Sequence, residues 1–558
     1  MKFSEYSYKR VDFNEVFERT NQILTDMKNA PDFESFKSSV LSFNTILRRV
    51  HSASIITSIR NSIDTTDPFY DAEQQYYDRS MPEFEERIIG YFQTMLDSPY
   101  HKEISETWGS YILDRAKSAV SAFCPEAIEL MKEENLLVSE YQKLLAGAKI
   151  PFQGEIYNLS SIMKFFQSDD RNVRKNAYEK FSDFLKEKEE SFDSLYDRLV
   201  SVRTQIAKAA GYNTYTAFGY NRLTRTDYSM EDVAVFRRQV EETLVPICTK
   251  IREDQAKRIG VDHLKFYDHQ YLFSDGNAVP VGNEEMLVGI ASDMYADMSS
   301  ETKEFFSFMT EHGLMDLSSK TGKAPGGYCT YIAEESSPFI FSNFNGTSGD
   351  VDVLTHEAGH ALQAYCSRGY ELYHYMEPTY EACEIHSMSM EYFAYPYMSR
   401  FFGDSEAKYR YAHLSDALTF IPYAACVDHF QQEVYENPRM TPLQRKEMWR
   451  SLEKRYLPHI DYDGNEEMEK GVYWFRQLHI FMLPFYYIDY ALASVHAMEF
   501  YQRMQTDRTS AWKDYMHLCT LGGSLSYLSL LKEGHLHNPF ESGTLDTIVV
   551  PLVRELNQ

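Results

Sequence analysis

The chain has 558 residues, of which 43% are hydrophobic and 25% charged. That mix excludes a disordered chain, a collagen-like repeat and a pure coiled coil, and the length allows roughly two to four domains or one large lobed body. Fifty-six basic against 83 acidic residues leave a net charge of −27, which repels phosphate backbones and argues against a nucleic-acid partner.

In chain order, Met1 to Tyr6 carries no apolar signal core. Residues 12–60 place apolar side chains at helical spacing behind Asp12, with Glu15 three residues on in a capping-box pattern. Ser229 is the expected N-cap of a helix running to about Gly260, with one buried stripe through Val233, Phe236, Val240, Leu244, Ile247 and Ile251. Two Gly/Pro-containing stretches, Phe273 to Asn283 and Lys320 to Gly327, interrupt the helices. Tyr328 to Ile332 and Phe339 to Phe344 read as a β-hairpin or two neighbouring strands, and Gly346 and Gly349 break the second before a helix near Asp350. The run Ile480 to Ile488 is too short to span a bilayer and contains Pro484. The seven cysteines (124, 248, 329, 366, 383, 426, 519) are scattered without a CxxC, as reduced thiols would be. A cytoplasmic protein with no membrane partner is expected.

The informative segment is His356-Glu357-Ala-Gly-His360. On a helix the two histidines project from one face, one turn apart, and both can reach one tetrahedral zinc. Glu357 can then take the proton of an attacking water. Val351, Val353, Leu354, Ala358, Ala361 and Leu362 make the rest of this helix apolar, so the pair is expected inside, where His and Glu need partners. Gly359 in a helix interior costs about 1 kcal/mol against Ala, which a closely approaching backbone would explain. A metzincin would carry Gly at 363 and His at 366; Gln363 and Cys366 exclude that class.

A third ligand is required. Downstream, Glu377, Glu381, Glu384, Met388 and Glu391 fall at spacings of 4, 3, 4 and 3, one stripe on a second helix. Such a stripe is either a solvated face or a metal-site wall. In the second case one carboxylate ligates the metal and another supports a ligating histidine. Spacing alone does not choose among them, and N/O sites accept several divalent metals.

Four stretches resemble the thimet oligopeptidase and oligoendopeptidase F family of zinc peptidases, in its bacterial Pz-peptidase-like branch. They are Phe339 to Gly346, Leu354 to Gln363, Glu381 to Glu391 and His479 to Ala493. Phe152 to Phe184 is similar to the family's N-terminal helical region, so the resemblance covers most of residues 150–535. It implies a mainly α fold of two helical lobes around a deep channel, with a small β-sheet beside the HExxH helix. The division is an N-terminal helical region, 1–195, and a catalytic region, 196–558. It implies one Zn²⁺ per chain held by His356, His360 and Glu384, with Glu357 as general base and Glu381 as the supporting carboxylate. The strand at 339–344 is expected to be the edge that pairs with substrate, through Phe341, Ser342, Asn343 and Gly346. His479, Tyr486 and Tyr490 are expected at the scissile carbonyl and Tyr487 on the substrate backbone. The family's tyrosines align here only across a gap, so the choice among the three stays open. The implied activity is endoproteolysis of short unstructured peptides. A zinc carboxypeptidase and a non-catalytic peptide-binding protein of the same fold are the alternatives; the sequence is silent on oligomeric state.

Overall fold

The computed structural model describes residues 1–556 except 321 and 325; Pro325 of the second Gly/Pro stretch therefore lies outside the described residues. The chain is mainly helical, with one two-stranded and one three-stranded sheet among the described residues. The periodic run at 12–60 forms two helices, Phe13–Lys28 and Phe33–Ile63. Pro31 cannot donate a helical hydrogen bond, and Asp32 restarts the chain by capping Ser35 N–H. These two helices pack with Pro68–Asp97 and Tyr111–Ser121 around a core of their own, including Phe36, Phe43, Leu47, Phe84, Tyr91 and Ile112. Leu372 and Tyr375 reach into it from the second half of the chain. A much larger core gathers the remaining helices. Residue 195 falls inside the continuous helix Glu189–Ala209, whose apolar face belongs to that larger core.

Ser229 caps its helix through a capping box with Asp232, and Gly260 ends it at φ +73. Midway, a wide π turn spans Val240–Leu244, where Pro246 has no N–H to offer the carbonyl four residues back.

The three-stranded sheet departs from the expectation. Strand β1 (Met315–Ser318) runs parallel to β3 (Ser337–Phe344), and β2 (Tyr328–Ile332) pairs antiparallel on β3's other side. The order is β1-β3-β2. The strand expected at the edge is thus the centre of the sheet, and the edge beside the HExxH helix is β2.

The HExxH helix, Gly349–Ser367, lies between this sheet and the helix Tyr380–Phe393. The latter is backed in turn by the long helix Tyr487–Leu521. Gly359 meets the expected backbone: a β-carbon there would lie 2.6 Å from His386 O and 2.7 Å from Ser387 Cα. Helix crossing at this distance sets the spacing of the site. Recesses open toward both ends of Tyr380–Phe393. One, of about 670 Å³, lies between the N-terminal helices and Tyr373 to Glu377 and is lined by His51, Phe92, Arg115 and Arg222. Another, of about 440 Å³, is lined by His356, Glu391, His413, His479, Tyr487 and Tyr490. It shares Asp352, Asp416 and Phe420 with a third recess of about 810 Å³. All seven cysteines are unpaired. Among the described residues no helix is long and apolar enough to cross a membrane.

Candidate active site

The HExxH helix presents His356 and His360 toward Glu384 on the facing helix. His356 Nε2 lies 3.3 Å and His360 Nε2 3.5 Å from Glu384 Oε2, and the ligand atoms of all three residues lie within 4.8 Å of one another. His356 Nδ1 is 2.6 Å from Glu391 Oε1. Burial alone would raise Glu391, but His356 and His413 hold it down to about 2. An ionised carboxylate only accepts, so Nδ1 carries a proton; burial opposes a charge on the His356 ring, but Glu384 and Glu391 together raise its pKa well above the ordinary value. Acceptors so close together need protons or a cation between them. Burial likewise pushes Glu384 up, yet the imidazoles of His360 and His356 hold it well below the usual carboxylate range. The donor set fits a divalent ion such as zinc.

Glu357 is buried on the same helix, one residue after His356. Its Oε2 has no hydrogen-bond partner among the described residues. Burial raises its pKa, and the two imidazoles only partly oppose this. A carboxylate held ready beside the histidines, with a free oxygen, can accept a proton.

Glu381, expected as the supporting carboxylate, has other partners. Glu381 turns away from the histidines: it accepts from Tyr228 O–H, and Arg225 Nε lies 3.9 Å from its Oε1. Glu391, two turns past Glu384, is the carboxylate in contact with His356. It is itself gripped by His413 Nε2, whose Nδ1 lies 2.6 Å from Tyr395 O–H. Ser387 donates to Glu384 Oε2 at 3.0 Å. Tyr228, His413 and Ser387 carried no separate signal in the sequence; Glu391 did, as the last carboxylate of the stripe.

The aromatic run gathers beside Glu384. Tyr486 O–H donates to Glu384 Oε1 at 3.0 Å. The His479 ring lies 5.5 Å from Tyr486, 4.8 Å from Tyr487 and 5.7 Å from Tyr490, centroid to centroid. Burial lowers His479 to about 4, so the ring is neutral at pH 7. Its Nδ1 faces Gln477 Nε2 at 3.1 Å. Burial raises Tyr486 and Tyr490, and both stay protonated.

Of the residues expected on the substrate strand, three are engaged within the protein. Phe341 is buried and stacks on Tyr328 at 4.9 Å, Ser342 is buried, and Asn343 Nδ2 donates to Ala324 O and Gly326 O. Gly346 borders the third recess, and its N–H donates to Asp350 Oδ2. On β2, Tyr328, Cys329 and Thr330 are half-buried. No backbone hydrogen bond joins that strand to a described segment other than β3.

The chain is similar to several known proteins. Over its whole length the chain is 46% identical to a solved chain assigned as oligoendopeptidase F, covering 99% of it at a TM-score of 0.96. It is 45% identical to Pz peptidase A solved with an inhibitor, covering 100% of this chain and 99% of that one at a TM-score of 0.95. An oligoendopeptidase F homolog of Borreliella burgdorferi is 24% identical over 405 residues, 70% of this chain and 66% of the relative. The chain spans between 55% and 66% of the length of the first curated relatives it matches. Residues 3–123 match the peptidase M3 N-terminal domain and residues 164–550 match peptidase family M3. With its ligand cluster, its helical fold and more than half of its length in agreement, the chain belongs to peptidase family M3.

Proposed function

We propose that the protein is a zinc-dependent endopeptidase that hydrolyses short, unstructured peptides inside its channel, with one ion per chain. The observation that carries this reading is the convergence of His356 Nε2, His360 Nε2 and Glu384 Oε2 beside a buried Glu357 with an unpartnered oxygen. Two imidazoles and one carboxylate suit zinc and leave a coordination position open. When bound, the ion supplies a Lewis acid that acidifies water and polarises a peptide carbonyl.

The chain's own groups do the rest. Glu357 Oε2 accepts the proton of the attacking water and returns it to the leaving amine, a task helped by its raised pKa. Attack builds negative charge on the carbonyl oxygen, and fixed neutral donors stabilise it. His479 and the phenols of Tyr486 and Tyr490 are such donors at pH 7, that of Tyr486 by turning its O–H from Glu384 Oε1 to the carbonyl oxygen. Glu391 and His413 hold His356 in the tautomer that points its lone pair inward. The outer edge of β2 replaces β3 as the strand on which an extended peptide would add. Recesses toward both ends of the ligand-bearing helix favour endopeptidase action over trimming at a C-terminus. Unpaired cysteines and the acidic charge support a reducing cytosolic setting.

The test is a mass-spectrometric digest of a mixed peptide pool, with and without chelator. Chelator-sensitive cuts at internal bonds of short peptides are expected. Removal of C-terminal residues alone, or turnover that survives full metal removal, refutes the reading.

A further inference from the structure

We infer that Phe485 and Gly219 form a clamp that positions Tyr486 against Glu384; the inference rests on the proposed role of Tyr486 as a donor in peptide hydrolysis. Phe485 sits at φ +70, a region that bulky L-residues rarely occupy. It lies where the chain turns between the helix Leu478–Met482, which carries His479, and the long helix Tyr487–Leu521.

The surroundings hold this conformation at every atom group. Phe485 N–H donates to Gln431 Oε1 at 3.3 Å, and its carbonyl accepts from Arg225 Nη2 at 2.6 Å. Arg225 is buried and bonds Asp489 as well, so it cannot follow a moving turn. The ring is buried among Tyr215, Tyr220 and Tyr435, with centroids 6.4, 5.8 and 5.7 Å away.

The remaining side is Gly219, in the helix Tyr215–Arg222. A β-carbon there would stand 2.9 Å from Phe485 Cδ2 and 3.3 Å from Cε2. Gly219 has no positive φ to require a glycine, and a helix interior disfavours one. What the position needs is the missing side chain. The phenol of the next residue, Tyr486, reaches Glu384 Oε1 at 3.0 Å. A turn relaxed to negative φ would rotate the 485–486 peptide and carry that phenol away. Gly219 and Phe485 are thus positioning residues that act through Tyr486.

The experiment compares Gly219→Ala, Phe485→Gly, Tyr486→Phe and the double variant Gly219→Ala/Tyr486→Phe. Readouts are kcat, KM, bound metal per chain, and the affinity of the metal-free protein for the same peptide. Gly219→Ala is expected to keep one metal and near-normal peptide affinity while kcat falls at least tenfold. Its loss should not add to that of Tyr486→Phe, because both act through one hydroxyl. Phe485→Gly tolerates the positive φ but loses the ring anchor; its kcat should fall too, which keeps the test open should Gly219→Ala fail to fold. Wild-type kcat in Phe485→Gly, or additive losses in the double variant, overturns the clamp. If Tyr486→Phe alone leaves kcat unchanged, the donor role fails and takes the clamp with it. If only Tyr486→Phe loses activity, the donor role stands and the clamp alone fails.

Discussion

Gly359→Ala measures how tightly the helix of His356 and His360 is coupled to the helix of Glu384. The added β-carbon would stand 2.6 Å from His386 O, 2.7 Å from Ser387 Cα and 3.0 Å from Met390 Cβ. Ordinary contact begins near 3.4 Å, so the helices would have to part locally by about 0.8 Å. These atoms belong to the opposing backbone or are one bond from it, and no rotamer change relieves them. Helix propensity alone favours Ala by about 1 kcal/mol, whereas overpacking costs about 1–3 kcal/mol. The net expectation is a loss of roughly 0–2 kcal/mol, a few degrees of Tm at most. The larger effect falls on metal binding. Gly359 adjoins His360, and His386 is two residues past Glu384, so parting the helices lengthens separations that are now 3.3 and 3.5 Å. Metal–ligand distances tolerate only about 0.2 Å. A zinc affinity lower by roughly 10–100-fold is expected, the size seen when a ligand loses its support. A chelator-competition titration measures this, and a thermal melt of the metal-free protein measures the stability term. Wild-type zinc affinity together with a raised Tm would show that the helices are not held by this contact.

Glu384→Ala should abolish stoichiometric zinc; wild-type occupancy on metal analysis would move the third ligand to another carboxylate. Glu357→Gln should keep the zinc and lose about 10²–10⁴-fold in kcat, so near-normal turnover of the metal-loaded variant removes it as the base. Glu391→Gln should weaken zinc binding by roughly 10–100-fold while Glu381→Gln leaves the affinity near normal; the reverse order in a titration would restore Glu381 as the supporting group. Burial pushes His51 down to about 4 and His459 to about 3. Unfolding would return both to about 6.5, so the unfolded chain binds more protons. Stability of the metal-free protein should therefore fall as pH drops from about 6.5 toward 4, by at most about 1.4 kcal/mol per pH unit for each histidine. Urea midpoints that stay flat over that window contradict the assignment.

Much of the site was legible because its signals are local. HExxH puts two imidazoles on one turn, and Gly359 announced a close backbone before any partner was known. The caps at Asp12, Ser229 and Gly260 lie within a few residues of what they cap. The sheet was harder. Strand β1 is Met315-Asp316-Leu317-Ser318, with no β-branched or aromatic residue to mark it, and its partner Ile340 lies 25 positions on. Without β1 in view, Phe339 to Phe344 read as an edge. Once β1 is present, the same strand is paired on both sides, and the edges pass to β1 and β2.

The stripe of carboxylates shows a second limit. Spacing placed Glu377, Glu381, Glu384 and Glu391 on one helical face, but a face is not an environment. Glu384 meets the imidazoles, and Glu391 passes its charge to His356 and His413. Glu381, a single turn from the ligand, is drawn off by Tyr228, 153 positions away in sequence, and by Arg225. Arg225 also holds the carbonyl of Phe485 and the side chain of Asp489. One buried cation therefore draws a carboxylate off the ligand cluster and pins the turn beneath Tyr486. Its removal would disturb ligand selection and donor placement together, a coupling that no spacing along either helix can express.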